Sequence, residues 1–318
     1  MKYLFFDIEC AGVFKNVAKI CAFGYCLVDE QFHILDKQDV LINPKGGFHL
    51  TDRKGVQGLV LPYKYDEFKT YPTFPELADK IYALLQDSDT LVVGHASMND
   101  VKYLNLESKR FSLPSFSFSF ADTQFLYMNK IGEFSRQFGL GLIAKDLGVE
   151  FTPHRAVDDA YATMKVAEAI CKQENLSLPK VLEKYQITLG KIENYEVTQT
   201  TSVGYEAYKK AREQAKEARE RARAAFHVFA DKAKRKRAKD GKLKGKTVCF
   251  SHGLELQTEL AQKLLHLAFD QAAFITFRAE ECNLYVTLAG ESGPRLQSVL
   301  DRGASVYTPD EFLAYLGV

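Results

Sequence analysis

The stretch Lys2-Tyr3-Leu4-Phe5-Phe6-Asp7-Ile8-Glu9, KYLFFDIE at residues 2–9, sets two carboxylates into a short apolar run. Aromatic and branched residues in such a run mark a buried strand. Asp7 and Glu9 are two positions apart, so both point to one face of it. An unpaired carboxylate in these surroundings is costly. The pair therefore reaches solvent at the strand end, or it meets a cation. Mg²⁺ is a hard ion that takes a few carboxylate oxygens together with water and phosphate, and it suits the second reading.

Working outward, AKICAFGYCLV (18–28) and QFHILDKQDVLI (31–42) read as the next two strands, the first of them central. PTFPELADKIYALLQ (72–86) is a helix after a proline-marked start, and DTLVVGH (89–95) is a strand that stops at Gly94. A helix is expected from about Asn99. FSFADTQFLYMN (118–129) holds a short strand ending near Asp122, LGLIAKDLGV (140–149) a short helix, and HRAVDDAYATMKVAEAICKQE (154–174) a long one. Alternating strands and helices define one α/β domain over residues 1–173.

Residues 174–204 have no firm period and read as a connector. Residues 205–242 are dense in Ala, Lys, Glu and Arg and read as a basic helical linker. Residues 243–318 return to strands and helices, a second small α/β domain. The six cysteines form no close CxxC pair, so reduced thiols are expected. The opening MKYLFFDIECAG lacks an apolar run with a cleavage site, and no stretch approaches eighteen uninterrupted apolar residues. A cytoplasmic location away from membranes is the expectation. Net charge is +1, yet residues 205–246 carry 16 Lys or Arg against 6 Asp or Glu. A basic arm thus adjoins an acidic body.

Two further acids complete the pattern. In VVGHASMND (92–100), Asp100 falls near a helix start, where a first-turn acid is also favoured by the helix dipole. His95 is read equally as a strand-end residue bonded to backbone. In HRAVDDA (154–160), steps of three and four from Asp159 reach Ala162, Thr163, Val166 and Ile170, a small and apolar stripe facing the sheet. The same steps from Asp158 reach Tyr161, Lys165, Glu168 and Lys172, a solvent face. Asp159 therefore points toward Asp7 and Glu9, and His154 lies on the loop before the helix. Four carboxylates from three elements beside one histidine describe a two-metal phosphodiester hydrolase, its ions about 4 Å apart. One ion would face the attacking water and the other the leaving 3′ oxygen, and an imidazole titrating near neutrality suits a general base.

These residues make the chain resemble the DEDDh group of 3′–5′ exonucleases, which includes the proofreading epsilon subunit of bacterial DNA polymerase III. Asp-x-Glu matches Asp7 and Glu9, the histidine before a helix-start aspartate lands on Asp100, and His-x-Ala-x-x-Asp matches His154, Ala156 and Asp159. The resemblance implies a ribonuclease H-like fold with a mixed central sheet. It also implies two Mg²⁺ or Mn²⁺ ions held by Asp7, Glu9, Asp100 and Asp159, with Asp7 shared, and a water-activating His154. Ala11 and Gly12, after the first motif, are the implied contacts to the terminal nucleotide.

The implied activity is release of nucleoside 5′-monophosphates from a DNA 3′ end, single-stranded or frayed, in proofreading or repair. RNA 3′-end trimming and a non-catalytic scaffold for a replication or repair complex are the alternatives. The C-terminal section resembles a BRCT domain through LKGKTVCFSHG (243–253) and GPRLQSVLDRGASVYTPDEFLAYL (293–316), with Phe312 where a tryptophan is typical. That implies a replication or repair protein as partner and sets Ser251 and Arg295 near a phosphate pocket. Lys234, Arg235, Lys236 and Arg237, within nine basic residues between Lys232 and Lys246, are candidate phosphate contacts.

Overall fold

The computed structural model describes residues 1–49, 60–151 and 153–318. They fall into two compact units, Met1–Lys209 and Lys210–Val318.

The first unit begins with three antiparallel strands, β1 (Lys2–Phe14), β2 (Val17–Val28) and β3 (Ile34–Leu41). Then come α1 (Phe74–Leu85), β4 (Thr90–Gly94), α2 (Met98–Arg110), β5 (Phe118–Asp122), α3 (Thr123–Ile131), α4 (Leu140–Asp146), α5 (Ala156–Glu174) and α6 (Leu178–Lys184). Four short strands close the unit: β6 (Ile187–Thr188), β7 (Gly190–Glu193), β8 (Glu196–Thr198) and β9 (Thr201–Ser202). The main sheet has the order β3-β2-β1-β4-β5-β7-β8. β1, β4 and β5 are parallel and the flanking pairs antiparallel, so the sheet is mixed.

Alternation along β1 organises both layers of the core. Tyr3 and Phe5 pack with Met164, Val166 and Ile170 of α5. Leu4, Phe6 and Ile8 pack with Phe74 and Ile81 of α1 and with Val101 and Leu104 of α2. Asp7 and Glu9 continue the odd-numbered row on the α5 side. α1 opens with a capping box, the Thr73 backbone N–H donating to Glu76 at 2.7 Å.

Residues 174–204, expected as a connector, are part of this unit. Leu178, Val181 and Leu182 join the α5 core, and β7 pairs with β5. Strands of two to four residues are too short to show a period in the sequence.

Helix α7 (Val203–Ala233) covers much of residues 205–242, but the division between the units falls within it. Phe226, Ala230 and Ala233 are buried in the core of the second unit with Leu243, Leu265 and Phe312. Spaced by four and three, they form a stripe one residue wide, easily lost among charged neighbours. The second unit continues with β10 (Thr247–Phe250), α8 (His252–Leu256), α9 (Thr258–Asp270), β11 (Phe274–Ile275), β12 (Leu284–Val286), α10 (Pro294–Asp301), β13 (Ser305–Tyr307) and α11 (Pro309–Leu316). Its four-stranded sheet, β11-β10-β12-β13, is parallel throughout.

Among the described residues, no helix is long and apolar enough to cross a membrane. All six cysteines are free.

Candidate active site

Three segments meet just beyond the carboxyl end of β4, beside the middle of β1. β1 brings Asp7 and Glu9, the first turn of α2 brings Asp100, and the first turn of α5 brings Asp159. Ligand atoms of Asp7, Glu9 and Asp159 all lie within 4.8 Å of one another, a group that can hold a divalent metal ion. Asp100, only 8% exposed, lies outside that group of three yet is near enough to raise the carboxyl of Asp7.

The close approach of α5 depends on Gly24. In the sheet register Gly24 sits opposite Asp7 on one side and opposite Asp39 on the other. A Cβ at this position would stand 2.0 Å from the Ala156 carbonyl carbon. The missing side chain is what lets the first turn of α5 rest on the sheet between two aspartates.

Burial, followed by the charges of Asp100, Asp159, Glu9 and Asp39, holds the Asp7 carboxyl well above the usual carboxylate range. Burial, then Glu9 and Asp122, does the same to Asp100. Glu9 is pushed up to about 8 by burial and by Asp159 and Asp39. Asp159 is pushed up to about 7 by burial, against the backbone N–H groups of His154 and Arg155 that favour its charged form. Among the described residues none of these four acids has a Lys, Arg or His within ion-pair distance. An all-oxygen set of repelling carboxylates without a cation fits Mg²⁺ or Mn²⁺ by donor chemistry.

Helix register separates the adjacent aspartates. The stripe Ala162, Thr163, Val166 and Ile170 is buried, whereas Lys172 on the Asp158 face is exposed. Asp158 pairs instead with Arg155, at 3.7 Å. His154 is exposed just ahead of α5, with φ at 68°. Ala11 is buried and Gly12 stands at the far end of β1, where an added Cβ would meet Phe14 at 3.2 Å. Both are close to β2 and follow Glu9 on the same strand.

His95 takes the structural alternative. Its ring nitrogens meet Thr123 Oγ1 at 2.9 Å and the Phe138 carbonyl at 3.0 Å. The turn that aims Asp100 rests on Asp122, whose carboxylate accepts from the backbone N–H groups of Ala96 and Ser97 at 2.9 and 3.0 Å. Asp122 was legible only as a strand end; its role depends on a residue 25 positions away.

The basic and phosphate-pocket candidates belong to the second unit. Lys234, Arg235 and Lys236 are exposed in a single helical turn. Arg237 differs: its guanidinium lies 4.2 Å over the Phe274 ring and donates to the Ala272 carbonyl, a structural engagement. Ser251 and Arg295 line one cavity of about 180 Å³. Ser251 caps α8 by accepting from Leu254 N–H, and Arg295 donates to the Phe277 carbonyl. Glu291 lines the same cavity and accepts from Gly253 N–H at 3.1 Å and Thr287 Oγ1 at 2.6 Å. Its carboxylate works against a second anion there.

The exonuclease family model RNase_T matches residues 4–167. Among solved structures, one titled for 3′-end-specific recognition of a histone mRNA stem-loop by a 3′-exonuclease is 16% identical with a TM-score of 0.49, over 64% of this chain and 91% of that one. E. coli exonuclease I in complex with a dT13 oligonucleotide is 18% identical with a TM-score of 0.46, over 58% of this chain. The chain spans 43% of that exonuclease I structure. No curated protein matches by sequence. The first unit has an α/β, ribonuclease H-like exonuclease fold with a mixed central sheet. Matched over more than half of its length, the chain belongs to the RNase_T exonuclease family.

Proposed function

We propose that the protein is a metal-dependent 3′–5′ exonuclease that hydrolyses the terminal phosphodiester bond of DNA and releases nucleoside 5′-monophosphates. The observation that carries this reading is the convergence of Asp7, Glu9 and Asp159 within 4.8 Å, with Asp100 adjacent and, among the described residues, no basic side chain paired to them.

Asp7, Glu9, Asp100 and Asp159 would hold two Mg²⁺ or Mn²⁺ ions, which supply activation of water and stabilisation of the leaving oxygen. His154, exposed on the loop before α5, takes the proton from the attacking water. Water adds to phosphorus, the bond from phosphorus to the 3′ oxygen breaks, and the shortened strand keeps a 3′-hydroxyl. Ala11 and Gly12 follow Glu9 along β1 and would border the terminal nucleotide. Lys234, Arg235 and Lys236, in the second unit, would contact nucleic-acid phosphates in a salt-dependent way. A purely scaffolding role is disfavoured, because four converging acids without a partner cost stability and serve no packing purpose.

For the second unit we infer a BRCT-like module that recruits a replication or repair protein. Its support is the parallel four-stranded sheet with β10 between β11 and β12, flanked by helices. Proofreading and DNA repair are the processes that fit both readings.

The test is a digestion panel of 3′- and 5′-labelled DNA and RNA, single-stranded, recessed or mismatched, with Mg²⁺ or chelator. Mononucleotides released from the 3′ label of DNA, and only with metal, are the expected result. Preference for RNA replaces the substrate; no digestion under any condition overturns the enzyme reading.

A further inference from the structure

Helix α5 begins without a side-chain cap of its own, since Arg155 occupies the N-cap position and makes no capping bond. Ser, Thr, Asp or Asn is usual there, because the first backbone N–H groups of a helix have no partner within it. The missing acceptor comes from 93 residues away: Ala156 N–H donates to the Tyr63 hydroxyl at 3.1 Å. That hydroxyl donates in turn to Asp39, lying 3.2 Å from each carboxylate oxygen. Asp39 also accepts from Arg155 Nε at 3.1 Å, so one carboxylate on β3 secures the backbone and the side chain at the helix start.

We propose that Tyr63 and Asp39 are positioning residues, a tertiary cap that fixes the first turn of α5 and so sets where Asp159 stands relative to Asp7 and Glu9. The proposal rests on the metal-site reading above. Three restraints act on the same turn. Gly24 allows the backbone of Ala156 to settle on the sheet, Asp39 faces it from the neighbouring strand, and Tyr63 closes the polar end. The Tyr63 ring is itself held edge-on by Phe68, their centroids 5.7 Å apart, and Phe68 is buried. Asp159 lies three residues beyond Ala156, about 4.5 Å along the helix axis, so a tilt of the first turn moves it directly. Displacements near 1 Å at a reacting centre cost about 10²-fold in rate.

The experiment compares the full chain with Tyr63→Phe and Asp39→Asn, reading Mn²⁺ binding by calorimetry alongside hydrolysis of a single-stranded oligonucleotide. Tyr63→Phe keeps the ring against Phe68 and removes only the hydroxyl. Expected are Mn²⁺ binding weakened about fivefold or more and kcat lowered on the order of 10-fold to 10²-fold, partly restored at raised Mn²⁺, with KM for the oligonucleotide unchanged. Asp39→Asn, which keeps one acceptor oxygen, should fall between wild type and Tyr63→Phe. Tyr71→Phe, whose hydroxyl meets Glu67 in the same aromatic cluster, should match wild type. A merely structural loss would instead show as a melting temperature, measured with chelator, far below wild type.

Mn²⁺ affinity of Tyr63→Phe within twofold of wild type overturns the proposal whatever the nuclease assay shows. If Tyr63→Phe does not fold, Asp39→Asn is judged by the same titration. Wild type that binds Mn²⁺ and hydrolyses nothing overturns the exonuclease reading alone, and wild type that binds no Mn²⁺ overturns both.

Discussion

Asp7 and its neighbours in the first unit and Glu255 in the second are acids removed from water, and the fold treats them in opposite ways. Glu255 is fully buried and accepts from Arg223 Nε at 2.7 Å, with His227 Nε2 at 3.3 Å. Its charge is answered from within the same unit. Asp7, Glu9 and Asp159 face one another and Asp100 instead, with no such answer among the described residues. An internally paired acid marks a place where the fold needs that charge for itself. A group of unanswered acids marks a place reserved for something that arrives later, at a standing cost to the empty protein.

That contrast breaks most visibly when one acid is removed from each site. Asp7→Ala should lower nucleotide release on the order of 10³-fold or more, while the metal-free melting temperature stays level or rises as repulsion is relieved. Glu255→Gln should leave the chemistry of the first unit intact and cost about 2–3 kcal/mol of stability. That is below the range for a sealed ion pair, because the Arg223 side chain keeps 27% exposure. Denaturant unfolding beside a nuclease assay reads both, and an Asp7→Ala protein that melts far below wild type would erase the distinction.

The adjacent aspartates sharpen it within a single helix turn. Asp159→Asn should cost on the order of 10²-fold in kcat, whereas Asp158→Asn, which loses only an exposed pairing with Arg155, should stay within about twofold. Equal losses would mean that α5 presents a different face. For His154→Ala the rate should drop about 10²-fold while calorimetric Mn²⁺ affinity holds near wild type, the separation expected of a proton acceptor that binds no metal.

The smallest effect is in pH dependence. Glu9 and Asp159 are pushed up to about 8 and about 7, above their unfolded values, so the folded protein holds protons more tightly than the unfolded chain. Without metal, stability should decline as pH rises from about 5 to 8, because these groups must ionise against burial and one another. With Mn²⁺ or Mg²⁺ the decline should flatten or reverse, since the ion favours the charged forms. Thermal melts at pH 5, 6.5 and 8, with metal or chelator, check the sign.

Much of this site was legible in the sequence because its geometry is local. Parity along KYLFFDIE put Asp7 and Glu9 on one face, and the three-and-four spacing after Asp159 chose it over Asp158; the structure brings ligand atoms of Asp7, Glu9 and Asp159 within 4.8 Å of one another. What escaped was whatever depended on distant partners. Asp39 sits in a strand whose neighbours include Asp36, Lys37 and Gln38, where one more acid draws no notice, and Tyr63 gains its role only where the fold brings it to Ala156. Likewise β7 and β8, of four and three residues, become strands because β5 offers an edge to β7 and β7 in turn to β8. Phe226, Ala230 and Ala233 looked like incidental apolar residues in a charged helix until a second core closed over them.

The alternation of β1 divides labour between neighbouring codons. Even positions Leu4, Phe6 and Ile8 hold one layer of the core, and beyond Phe5 the odd positions Asp7 and Glu9 face the candidate metal site. A mutational scan through residues 4–9 should therefore show a period of two, with lost abundance at 4, 6 and 8 and lost activity at 7 and 9. Deleting a residue among Leu4, Phe5 and Phe6 would put the residues on its two sides out of step, so that one part of the strand must turn its side chains to the wrong face. The first strand is thus far less tolerant of length change than of many substitutions, a constraint on how this chain can be engineered or can drift.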